Sequence, residues 1–216
     1  MPIVAVSPRS HRGFTAAELL VALLAGSILT LALASFFAFQ TNSLKAENAS
    51  RSAQVTARTT LDFVARHLEH VGRDPSASLF SAASPAIQTA DADELSYLAN
   101  LNEDWETPPD TSDGWESVTF RYDPETAAIM VDEGANSYAL TDVGENQRSY
   151  VPPGGLSFTY FDTGGNAVAA GGAIAQRASI RRITVAVTVR GVSPDGSAED
   201  PEVTHSRDVY LRNVSG

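Results

Sequence analysis

The sequence of 216 residues has no cysteine, which excludes disulfide staples and any thiol-based catalysis. A domain outside the cytoplasm is unusual without disulfides. Here roughly 175 residues remain beyond the N-terminal segment, enough to bury a core that is stable unaided. Proline is missing between Pro8 and Pro75, and charge is missing from Leu19 to Phe39, a run of twenty-one residues whose next charge after Glu18 is Lys45. As a helix that run spans about 31 Å, against a hydrocarbon core of roughly 30 Å. There is no phosphate-cradling glycine loop, no Gly-x-Ser-x-Gly elbow and no supported pair of carboxylates, so the chain is not expected to be an enzyme.

Acidic residues are missing from the first thirteen positions, which carry Arg9 and Arg12. The whole chain is formally −11; without those two arginines, everything from Phe14 onward is −13. An acidic body repels phosphates, so no nucleic-acid partner is expected. The short basic leader before an apolar run predicts a cytoplasmic N-terminus and a translocated body.

What is present at the mouth of the apolar run is a carboxylate. Glu18 in "GFTAAELLVALL" would cost on the order of 2–3 kcal/mol within the membrane if unpaired. A secretory signal peptide has a shorter apolar region followed by a small-residue cleavage site. Here the run continues into "QTNSLKAENASRSAQVTARTTLDFVARHLEHV", which predicts more helix. A plain membrane anchor accounts for neither Glu18 nor the Gly13–Phe14 pair.

Basic leader, Gly13, Phe14, Glu18 and a full-length apolar helix together resemble the class III signal of type IV prepilins and pseudopilins. The resemblance implies that a prepilin peptidase cuts between Gly13 and Phe14 and methylates the new Phe14 amine. It also implies that Glu18 of an incoming subunit pairs with the Phe14 amine of a neighbour during fibre assembly. A matched pair in low dielectric is far less costly than a lone charge, and a carboxylate suits the first turn of a helix. Major pilins often carry a proline in the membrane half, and its absence here points toward a minor subunit.

Beyond the membrane segment, Ala53, Ala57, Leu61, Val64, Leu68 and Val71 follow helical spacing, with Arg51, Arg58, Asp62, Arg66 and Glu69 largely off the stripe. The spacing predicts a helix from Phe14 to Val71, stopped by Gly72 and Pro75. Residues 75–115 read as loop-rich around the short run "LSYLANL". Period-two patterns follow: Val118, Phe120 and Tyr122; a returning "AAIMVDE"; Leu156, Phe158 and Tyr160 before the turn "DTGGNA"; and Ile183, Val185, Val187 and Val189. After the solvated loop "SPDGSAEDPE", "VTHSRDVYLRNVSG" reads as a last strand. The expected fold is α+β, one long helix against an antiparallel sheet, a type IV pilin-like arrangement. The expected divisions are a leader (1–13), a membrane or fibre-core helix (14–40), its amphipathic continuation (41–72) and a β-rich head (73–216).

"LDFVARHLEHVG", "DELSYLANLN", "ESVTFRYDPETAAIM", "GLSFTYFD" and the ending "IRRITVAVTVRG … VYLRN" resemble the PilW-type minor pilins. The J-type minor pseudopilins of type II secretion have a similar layout, and the pattern does not separate the two systems. The resemblance implies a single-pass inner-membrane protein with a periplasmic head, later at a fibre tip or the cell surface. Its implied partners are other minor pilins, the major pilin, the prepilin peptidase, the inner-membrane assembly platform and a tip adhesin. A signal-anchored periplasmic binding domain that forms no fibre is the alternative of a different class.

Three features invite other chemistry. His67 and His70 lie three apart on a helix, but a metal site needs a third or fourth ligand, and His205 lies far off in sequence; a solvated helix face is the expectation. Asn100, Asn102 and Asp104 in "NLNEDW" resemble the start of a calcium loop, yet Asn100 stands at the first-aspartate position and Trp105 where the turn glycine belongs. No cofactor is expected; calcium and an acidic solvated loop both stay open for this segment. Trp105 and Trp115 suit either a binding surface or a cover for the sheet edge.

Overall fold

The computed structural model describes residues 15–73, 80, 85–99, 117–141, 149–192 and 201–214. Alanine, leucine and other good helix formers fill the stretch after Thr15, and no proline interrupts it; helix α1 runs through Ala16–Leu68, 53 residues. The chain divides into two compact units, residues 1–44 and 45–216.

In the first unit the helix exposes its large side chains all round, with Leu19 59%, Leu23 63% and Phe37 62% accessible. Four of its hydroxyls are turned inward on the backbone. Ser27 donates to the Leu24 carbonyl (2.8 Å), Thr30 to Gly26 (2.8 Å), Ser35 to Leu31 (2.9 Å) and Thr41 to Phe37 (2.8 Å). Each hydroxyl is thereby satisfied without water, the condition for placing it in hydrocarbon. The helix is long and apolar enough to cross a membrane.

In the second unit the expected stripe is buried: Ala53, Ala57, Leu61, Val64 and Leu68, joined by Ala49, Thr60 and Ala65, with Val71 just beyond. The helix ends three residues before the expected Val71. The N–H groups of His70 and Val71 donate to the His67 and Leu68 carbonyls in a tightened last turn. Gly72 then takes φ +68°, a conformation that favours glycine, and sends its N–H to the Leu98 carbonyl (3.2 Å). Asn213 donates to the Glu69 carbonyl (3.1 Å), satisfying one of the helix's terminal acceptors.

Two antiparallel sheets stand where one was expected. The first is a meander of β1 (Ile87–Ala90), β2 (Glu94–Leu98), β3 (Ser117–Asp123), β4 (Ala128–Glu133) and β5 (Asn136–Ala139) in that order. The second follows the order β10-β9-β7-β8, formed by β7 (Leu156–Phe161), β8 (Ala167–Val168), β9 (Arg182–Gly191) and β10 (Glu202–Tyr210), while β6 (Ser149–Tyr150) also pairs with β9. A short helix α2 (Ile174–Ala178) precedes β9. The strands read from alternation are present, and Phe120, Leu156, Tyr160, Ile183, Val185, Val187 and Val189 point into a core shared with α1. The stretch expected to be loop-rich contains β1 and β2, and "LSYL" is most of β2. β1, β5, β6 and β8 are four residues or fewer, too short for alternation to reveal. The Asp91–Asp93 turn locks the sheets together: Tyr160 Oη donates to the Asp91 carbonyl (2.6 Å) and the Phe158 N–H to that of Ala92 (2.8 Å).

Candidate functional site

Of the residues expected to matter most, Glu18 lies at the start of α1. Gly13 and Phe14 fall outside the described residues. Glu18 is in the first turn, and its Oε2 accepts from the Thr15 N–H (2.8 Å) and the Thr15 hydroxyl (3.0 Å). In return the Glu18 N–H donates to Thr15 Oγ1 (3.3 Å). This is a reciprocal capping box, in which two side chains satisfy backbone donors at the helix start. The carboxylate is thus held by its own chain, at the positive end of the helix dipole. Thr15 as its partner was missed from sequence, although threonine three residues before glutamate at the head of an apolar run is a readable signal.

Along the remainder of the first unit the exposed apolar surface is the feature with a chemical consequence. Leu19, Leu23, Ile28, Leu31, Phe36 and Phe39 are all roughly half or more accessible, an area that water disfavours and that hydrocarbon or other helices would cover.

His67 departs from the solvated face expected of it. Its ring stacks on Phe63 with centroids 4.0 Å apart and meets the edge of Phe120 at 5.9 Å. Nδ1 lies 3.0 Å from the Phe63 carbonyl, and Nε2 lies 3.5 Å from Glu133 Oε1. Tyr138 donates to the same Glu133 oxygen (2.8 Å), and Tyr97 donates to the His67 carbonyl (2.9 Å). Burial first, and then the bond to Glu133, push the Tyr138 hydroxyl up to about 12. The reason is packing: His67 sits one helical step from the buried stripe, where β2 to β5 close over the end of α1. His70 is exposed, as expected. Among the described residues no group of three or more His, Asp or Glu side chains is placed to hold a metal ion. Asn100, Asn102, Asp104, Trp105 and Trp115 lie outside the described residues.

The outer face of the second sheet is a self-satisfied polar surface. Asp208 accepts from Arg182 (2.8 Å) and from the Thr184 hydroxyl, Arg190 pairs with Glu202 (2.6 Å), and Thr188 meets Thr204 (2.8 Å). The Arg182 guanidinium also lies 3.8 Å over the Phe161 ring. Such cross-strand pairs hold register between β9 and β10.

The chain matches no protein-family model, no curated protein and no solved structure.

Proposed function

We propose that this chain is a minor pilin: a single-pass precursor, cut between Gly13 and Phe14, whose acidic head is delivered to the far side of the membrane and joins a complex that starts or caps a type IV pilus. One observation supports this reading above others. The sole charge between Thr15 and Lys45 is Glu18, and its carboxylate sits at the very head of an apolar helix that exposes its side chains throughout the first unit. A membrane anchor needs that carboxylate only to cap its own helix. A subunit that must slide from lipid into a bundle of like helices needs the charge as well, because it can pair with the Phe14 amine of a neighbour and register the two helices.

On this reading the chain performs no catalytic step and carries no cofactor. It works with other minor pilins, the major pilin, the prepilin peptidase and the inner-membrane assembly platform, and it presents its head to a tip adhesin. The head's pilin-like character is part of the same proposal: α1 buries one stripe against antiparallel sheets and leaves its first half for fibre packing.

A strain lacking the gene tests the proposal. Loss of surface pili with a normal secreted-protein profile is the expected result. Normal pili with exoproteins trapped in the periplasm would assign the chain to a secretion pseudopilus, and no change in either would favour an anchored binding domain.

A further inference from the structure

The ring of His67 is packed on Phe63 and against the edge of Phe120, with 29% of the side chain exposed. Its two nitrogens face different groups, and both groups are acceptors. Nδ1 lies 3.0 Å from the Phe63 carbonyl, and Nε2 lies 3.5 Å from Glu133 Oε1. A carbonyl has no proton to give, so a bond at Nδ1 requires the proton to be there. In the neutral ring, Nε2 is then a lone pair facing a carboxylate, two acceptors with no proton between them. In the imidazolium both nitrogens donate, and both positions are satisfied.

Glu133 has the matching need. Its side chain is 15% exposed, and it accepts one hydrogen bond, from the Tyr138 hydroxyl (2.8 Å). Among the described residues, His67 is the one cationic partner in ion-pair reach of it. The other polar neighbours are neutral donors or are engaged elsewhere. Tyr97 of β2 donates to the His67 carbonyl (2.9 Å), and burial first, then the Glu133 charge, push its hydroxyl up. Tyr138 of β5 is pushed up to about 12 by burial and by Glu133. From β3, Phe120 brings no charge. On β4, Asp132 is paired with Arg121 (2.9 Å). On α1 itself Arg66, Glu69 and His70 are exposed to water.

We propose that His67 and Glu133 form a proton-operated latch. A proton bound at Nε2 fastens the last turn of α1 to the β4–β5 hairpin, and its loss undoes that fastening. The hairpin is where a fastening matters: β5 is four residues long and pairs with β4 alone, so its ladder has few bonds. A cation that gains an anionic partner on folding adds stability on the acid side of its titration, and the gain is lost as pH rises. An ordinary imidazole titrates near pH 6.5 and an ordinary glutamate near 4.3. The latch is therefore closed at about pH 5.5 and open at about pH 8.

The full-length protein in detergent micelles, with its histidines labelled with nitrogen-15, reads the ring directly by NMR. The His67 signals are assigned by their loss in His67→Phe and by their proximity to the Phe63 and Phe120 ring protons. At about pH 8 the expected ring carries its proton on Nδ1; at about pH 5.5 both nitrogens carry one. Urea unfolding reads the consequence. The folding equilibrium constant of the parent, relative to His67→Phe, is expected to rise at least about threefold from pH 8 to pH 5.5. The same comparison made in a Glu133→Gln background is expected to stay flat, because glutamine still accepts from Tyr138 but carries no charge. A neutral ring with its proton on Nε2, a ratio that stays flat or falls in acid, or a rise that persists with Glu133→Gln would each overturn the proposal. Where His67→Phe does not fold, the ring spectrum of the parent at the two pH values decides. None of these readouts depends on whether the chain enters a pilus.

Discussion

Gly191, the last residue of β9, lies flat against the backbone of Ala49 in α1: a β-carbon on Gly191 would fall on the Ala49 carbonyl oxygen. With Ala49, Ala53 and Ala57 forming the small-residue start of the buried stripe, this contact sets how closely the helix approaches the second sheet. The obstructing atoms are all Ala49 backbone, so none yields by changing rotamer.

Gly191→Ala should therefore be destabilising, at the upper end of the roughly 1–3 kcal/mol typical of overpacking. Urea unfolding of the purified protein would show it as a lower midpoint with an unchanged slope. A midpoint within error of the parent would mean the helix and sheet are not held this closely.

Thr60 offers the opposite sign. It is buried within the stripe at 2% exposure, and among the described residues its hydroxyl has no hydrogen-bond partner. Valine keeps the shape and removes the unsatisfied group, so Thr60→Val should stabilise by about 1 kcal/mol. A rise in the thermal midpoint checks this; a fall would place a polar partner on Thr60.

Acid should loosen the β9–β10 pair. The Thr184 hydroxyl, and after it the Arg182 guanidinium, hold the Asp208 carboxyl below its ordinary range. A carboxyl that titrates lower in the folded state adds stability above its unfolded pKa, and the gain is lost as pH falls through the folded value. Between about pH 5 and about pH 2, the urea midpoint of the parent should fall toward that of Asp208→Asn, and the gap should close. A gap that stayed constant across this range would remove the charge from the explanation.

Glu18 has two separable roles, a cap for its own helix and a charge for a neighbour. Glu18→Gln keeps the capping box, because glutamine can serve in it as glutamate does, but removes the charge. Both Glu18→Gln and Glu18→Ala should be processed normally yet enter fibres at least about tenfold less, the effect of roughly 1.4 kcal/mol. Immunogold counts on sheared pili would measure it. Incorporation of Glu18→Gln at the parental level would leave Glu18 with capping alone.

Much of this architecture was readable in the residues. The stripe from Ala53 to Val71 and the alternation from Ile183 to Val189 each repeat over several turns or strand steps, so burial leaves a clear period. β1 and β5 were not readable, because four residues carry too little of any period. Neither was the split into two sheets, which depends on which strands find each other rather than on any local pattern. His67 was misread for a related reason: it is polar and lies beside the apolar stripe, and only the arrival of Phe120 and Glu133 from distant strands closes it in. The capping box is legible in Thr15 and Glu18, three residues apart at the head of an apolar run.

The central claim is that the chain is made as a prepilin, and the mature N-terminus tests it most directly. Mass spectrometry of the protein recovered from membranes should find a chain beginning at Phe14 with a methylated amine. A chain still beginning at Met1, or one cut beyond the apolar segment, would contradict the account and leave Glu18 without a neighbouring amine to meet.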